Sequence, residues 1–208
     1  MATVTRSVAA DADDGERPAG AHGSAWTART DDGYPVGEFF RIIAGTVTGT
    51  DYVKGGLRFT NITVAQGTTI TSATLTVYVR NVNYADSGAR VRIYGDDVDN
   101  SAALSGTHNP VDGWTNTTAY YDWNPYAASG ASTADVTSIV QEILNRGSWA
   151  SGNAISFAMG DAVAGSDSYF KVEIYDYDAD TSALLAELEI VYPDAGGGSK
   201  TLTLLGVG

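Results

Sequence analysis

The residues best suited to chemistry in this chain are its acids. Asp176-Tyr177-Asp178-Ala179-Asp180 sets three carboxylates at alternate positions, with Glu187 at the twelfth place, the oxygen-donor spacing of a calcium loop. The sixth place, where such a loop turns on glycine, holds Thr181, and the flanking residues alternate as strands do. Asp96-Asp97-Val98-Asp99-Asn100 is a second acidic turn. A solvated hairpin tip is the favoured reading of both, with Ca2+ at Asp176, Asp178 and Asp180 as the alternative, and no other cofactor is expected.

Aromatic rings supply a second possible chemistry. Trp114, Tyr120, Tyr121, Trp123 and Tyr126 fall within thirteen residues, and exposed planar rings can stack on sugars. Trp114, Tyr121 and Tyr126 are the candidate glycan-stacking residues, although alternation through Tyr120-Tyr121-Asp122-Trp123 turns at least one ring inward and favours core packing. Catalysis has little support. The two histidines, His22 and His108, lie in Gly-rich or turn-like segments without a partner at a recognisable spacing. The chain also contains no G-x-S-x-G, G-x-x-x-x-G-K-[ST] or H-E-x-x-H motif. A non-enzymatic protein with no catalytic residues is expected.

The elements that must carry these residues read as β. Short runs of alternating apolar and polar residues, broken by Gly, Asn and Asp, recur along the chain. Residues 57–64, 73–80, 89–94, 120–123, 154–159, 170–175 and 186–192 are the strand candidates, with a first strand near residues 3–8. One segment has a different period. Val136, Ile139, Val140, Ile143 and Leu144 follow helical spacing, which predicts one short amphipathic helix over about 135–146, with Asp135 able to cap its start and Gly147 to end it. The fold class is therefore all-β, an antiparallel β-sandwich with one helix packed on it.

Three regions follow. Residues 1–49 comprise the first strand and an irregular Ala/Asp/Gly-rich arm joined to the body, and residues 50–193 form the sandwich. Residues 194–208 are a Gly-rich linker and an apolar, strand-like tail in which Thr201, Leu202, Leu204, Leu205 and Val207 are the candidate assembly residues. The formal charge of −13 with three lysines (Lys54, Lys171, Lys200) argues against nucleic acid as partner. The absence of cysteine removes disulfides and thiolate chemistry. No secretory signal or membrane-spanning run is present, so no membrane partner is expected.

Several segments together carry a resemblance: residues 70–77, 91–100 and 121–125, and Val140-Gln141-Glu142-Ile143-Leu144-Asn145-Arg146-Gly147-Ser148-Trp149-Ala150-Ser151-Gly152-Asn153-Ala154. In order and spacing they resemble a jelly-roll-like β-sandwich module of phage structural proteins and bacterial extracellular proteins, over roughly residues 50–192. The resemblance implies surface display or adhesion, sometimes beside carbohydrate-binding modules, and brings no catalytic residues. An extracellular type of module without a secretion signal fits a bacteriophage virion component, a capsid decoration or tail-associated subunit made in the host cytoplasm. Its expected partners are other virion proteins and further copies of itself as a homo-oligomer. The alternative is an extracellular carbohydrate-binding or host-adhesion module whose partner is a host surface glycan.

Overall fold

The computed structural model describes residues 1–18, 39–44, 53–83, 90–105, 108, 113–124, 130–162, 170–177 and 182–194. Among the described residues, eleven strands and one α-helix run in the order β1 (Ala2–Ser7), β2 (Asp14–Pro18), β3 (Phe39–Ala44), β4 (Val53–Phe59), β5 (Ser72–Asn83), β6 (Val91–Asp96), β7 (Asn116–Trp123), β8 (Gly130–Asp135), α1 (Thr137–Leu144), β9 (Ile155–Ala162), β10 (Phe170–Tyr175) and β11 (Glu187–Tyr192). Every described pairing is antiparallel. The fold is an all-β sandwich.

One layer carries β1, β11, β5, β10 and β3, with β8 on the far edge of β5. The other carries β4, β9, β6 and β7, with β2 beside β4. The single pair Ile43↔Val53 joins β3 to β4 and so connects the layers. At the opposite side the Trp123 indole N–H donates to Ser132 Oγ at 3.1 Å, tying β7 to β8 across the remaining opening.

Alternation decides what lies between the layers. Leu57 and Phe59 of β4, Ile155, Phe157 and Met159 of β9, Val91 and Ile93 of β6, and Leu75, Val77 and Val79 of β5 are all buried. The Phe59 and Phe157 rings meet edge-on with centroids 6.0 Å apart, a geometry that suits their quadrupoles. The run 57–64, read as one strand, ends at Phe59. Asn61 takes a positive φ of 56°, and this step shifts the buried parity from Leu57 and Phe59 to Ile62 and Val64. Asparagine tolerates the left-handed region better than a branched residue would.

The helix forms where its period predicts, over 137–144. Val136, Ile139, Val140, Ile143 and Leu144 are all buried. The Asp135 carboxylate accepts the Thr137 N–H at 3.0 Å, satisfying a first-turn donor that the helix itself leaves free. Gly147 has no capping part, since the helix already stops at Leu144 with Asn145 in a right-handed conformation. The seat of α1 depends on Gly95: a Cβ there would lie 2.7 Å from Ile139 Cγ2 and 2.8 Å from Ile143 Cδ1.

Much of the first 49 residues belongs to the sandwich. Ala2–Ser7 pairs along its whole length with β11, Asp14–Pro18 with β4, and Phe39–Ala44 with β10. The Asp/Gly-rich composition of 10–18 hid β2, whose buried acids are held by partners from other strands. Glu16 of β2 pairs with Arg41 at 2.8 Å, and Asp13, in the turn just before the strand, with Arg58 at 2.6 Å. The assembly-tail residues Thr201, Leu202, Leu204, Leu205 and Val207 lie outside the described residues.

Candidate functional site

The densest polar constellation sits where β6 ends. Asp96 is the last residue of that strand, and Ser101 and His108 of the following segment come back to it. Asp96 is 1% exposed. Its Oδ2 accepts the Ser101 hydroxyl at 2.6 Å and lies 3.2 Å from His108 Nε2. Ser101 Oγ is itself 3.2 Å from the same ring nitrogen, and the His108 ring packs against Trp114 with centroids 5.6 Å apart.

A serine, a histidine and an aspartate thus meet, but not as a relay. In nucleophilic catalysis the carboxylate orients one ring nitrogen while the other takes the serine proton. Here both side chains converge on Nε2, the short contact directs the hydroxyl proton to Asp96, and Ser101 is 1% exposed. The arrangement closes a loop. Burial pushes the Asp96 carboxyl above its ordinary value, opposed by the Ser101 hydrogen bond and the facing imidazole.

The acidic turn beyond it is also occupied. The Arg146 guanidinium pairs with Asp97 and, at 3.0 Å, with Asp99. Asn153 donates its amide to the Asp99 carbonyl, and Asn100 accepts the Ala154 N–H at 2.8 Å. These carboxylates serve as counterions that pin the turn to the segment after α1. Asp176 directly follows β10, and Tyr177 N–H donates to Asp14 at 2.7 Å, which fastens the start of the other acidic turn to β2. Asp178, Asp180, Thr181 and Tyr126 lie outside the described residues. Among the described residues no three His, Cys, Asp or Glu side chains come together as a metal-ligand group.

The structure separates the aromatic candidates. Tyr121 is half-buried against the core and Trp114 is half-buried against His108. Tyr120, one residue from Tyr121 and so on the opposite face, is 50% exposed. Cross-strand register puts Tyr94 beside it and Arg92 beside Asp122. The Tyr94 and Tyr120 rings lie 6.0 Å apart. Arg92 grips Asp122 with two hydrogen bonds of 2.6 and 2.9 Å and lays its guanidinium 3.8 Å above the Tyr120 ring. Tyr121 turns to the core and Tyr120 to the outer face of β7, a difference the sequence does not show, because the two residues look alike until one face of β7 is known to be covered.

No known protein-family model matches the chain, and a comparison with curated proteins gives no match. No helix among the described residues is long and apolar enough to cross a membrane.

Proposed function

We propose that this chain is a non-enzymatic structural subunit on the surface of a bacteriophage particle, a capsid decoration or tail-associated protein anchored through its terminal segments. The observation that carries the reading is the corner where the described body begins and ends. β1 and β11 pair along their full length, and the Met1 amino group meets the Asp194 carboxylate at 2.7 Å. The described body thus ends, at Asp194, beside the place where it begins, and a sandwich held at that corner would turn its other surfaces outward. The charge of −13 keeps free subunits apart until a specific contact forms.

Deletion of residues 195–208 tests the reading by size-exclusion chromatography with light scattering. The full chain is expected to assemble, and the truncated chain to be a monomer with the same thermal unfolding midpoint. Two identical monomers would sink it.

A second reading, a carbohydrate-binding or host-adhesion module, is favoured by one observation: the outward Tyr94, Tyr120, Arg92 and Asp122 group combines an exposed ring with a fixed donor and acceptor. Migration through native gels cast with soluble glucan, xylan or mannan tests it. Retardation is expected for the natural sequence and not for Tyr120→Ala; equal mobility of the two proteins in every gel argues against it.

A further inference from the structure

We propose that the outer edge of β1 is the docking site for the C-terminal tail of a second copy of this chain, which adds to the sheet as an antiparallel strand; the inference rests on the anchoring role proposed above. Among the described residues β1 pairs with β11 alone. Register fixes which backbone groups remain. Val8 N–H donates to the Ala186 carbonyl, which makes that position a hydrogen-bonded pair facing β11. Antiparallel alternation then turns Arg6, Val4 and Ala2 toward β11, and the N–H and C=O groups of Ser7, Thr5 and Thr3 toward the open edge. The neighbouring strand agrees, since the Val191 carbonyl, opposite Thr3, accepts Thr71 N–H from the other side. At the open edge the Thr5 carbonyl accepts the Arg6 guanidinium at 2.7 Å, a charged guard on that row.

Side chains beside this edge have a matching period. Val4 is buried, while Thr3, Thr5 and Ser7 are exposed. A cleft of about 430 Å³ lined by Thr63, Ala65, Thr68, Thr69, Tyr192 and Pro193 opens at the same corner, and Arg6 reaches across to Thr63 Oγ1 and the Asn61 carbonyl. Thr201-Leu202-Thr203-Leu204 alternates in the same way, so a strand laid there places threonines beside Thr3 and Thr5 and leucines over the cleft.

The occupant is a neighbour's tail because of direction. β11 ends opposite Ala2, so a chain's own tail laid directly on this edge would enter at the start of β1 and run parallel to it. To pair antiparallel it must first reach the Ser7 end. Six residues of strand extend roughly 20 Å, which is also the full reach of six linker residues with nothing left for the turn. A second copy has no such restriction, and a two-fold exchange of tails closes on itself as a dimer.

Thr5→Pro removes an N–H that faces the open edge and leaves the β1–β11 bonds in place, as proline permits on an edge strand. Light scattering on the full chain, on Thr5→Pro and on the chain lacking residues 195–208 is expected to give a dimer, a monomer and a monomer, with midpoints for Thr5→Pro and the full chain within about 3 °C. A synthetic peptide of residues 199–208 is expected to bind the truncated protein at least tenfold more tightly than truncated Thr5→Pro. If Thr5→Pro remains a dimer while truncation gives a monomer, the tail docks elsewhere, and this proposal falls while the anchoring role stands. If the untruncated natural chain is itself a monomer, both fall.

Discussion

Gly95→Ala is the most direct probe of how α1 is held against the sheet. The added methyl would stand 2.7 Å from Ile139 Cγ2, 2.8 Å from Ile143 Cδ1 and 3.1 Å from Thr117 Cγ2. All three carbons belong to stiff β-branched side chains, and Ile139 and Ile143 are fully enclosed, so relief requires the helix to move outward. Overpacking of this kind costs about 1–3 kcal/mol. Replacing glycine in a strand returns roughly 0.5–1 kcal/mol of backbone entropy. The net loss is about 0–2.5 kcal/mol, a fall in midpoint of up to roughly 10 °C for a chain of this length.

A double-mutant cycle separates crowding from other causes. Ile143→Val removes the Cδ1 atom that the new methyl strikes, and alone it costs about 0.5–1.5 kcal/mol. With Gly95→Ala it should give a protein at least about 0.5 kcal/mol more stable than the sum of the two changes predicts. Urea unfolding followed by tryptophan fluorescence measures each corner of the cycle. Strict additivity in the cycle would refute the close seating of α1 on β6.

Glu142 accepts hydrogen bonds from Thr118 N–H at 2.8 Å, Ala119 N–H at 2.7 Å and the Thr118 hydroxyl at 3.0 Å, so a helix side chain covers the edge of β7. Its burial pushes the carboxyl up, but the backbone donors outweigh burial and hold it below its ordinary value near 4.5. The stabilisation is therefore present above that value and lost as pH falls through the lower folded one. Glu142→Gln should flatten this acid limb in thermal unfolding at pH 3–6, and an unchanged limb would remove the carboxylate from the account. Asp96 has the opposite sign. Its folded value is raised above the ordinary 3.8, so its ionisation opposes folding increasingly as pH rises from the ordinary value through the folded one. The stability of Asp96→Asn relative to the natural chain is expected to increase over that window and then level off. A difference independent of pH would show that Asp96 does not titrate differently on folding.

Sequence alone determined the class of fold and the helix, because both rest on local period. Alternation in 73–80 and 186–192, and the spacing of Ile139, Val140, Ile143 and Leu144, follow from chain geometry in any tertiary setting. Strands without an alternating signal were not legible. β8, Gly130-Ala131-Ser132-Thr133-Ala134-Asp135, carries almost no apolar pattern and is a strand because β5 offers it an edge. β2 is a strand because β4 offers it an edge and Arg41, distant in sequence, neutralises its buried Glu16. The meeting of Asp96, Ser101 and His108 was equally hidden, since a turn of the connecting segment rather than a repeat spacing brings them together. Tertiary structure also decided that Tyr120 faces outward while Tyr121 packs inward, and that the first and last described strands share one corner. Residue type sets what a side chain can do; which face of a strand is covered, and which strand lies beside it, is fixed only by packing between elements far apart in the chain.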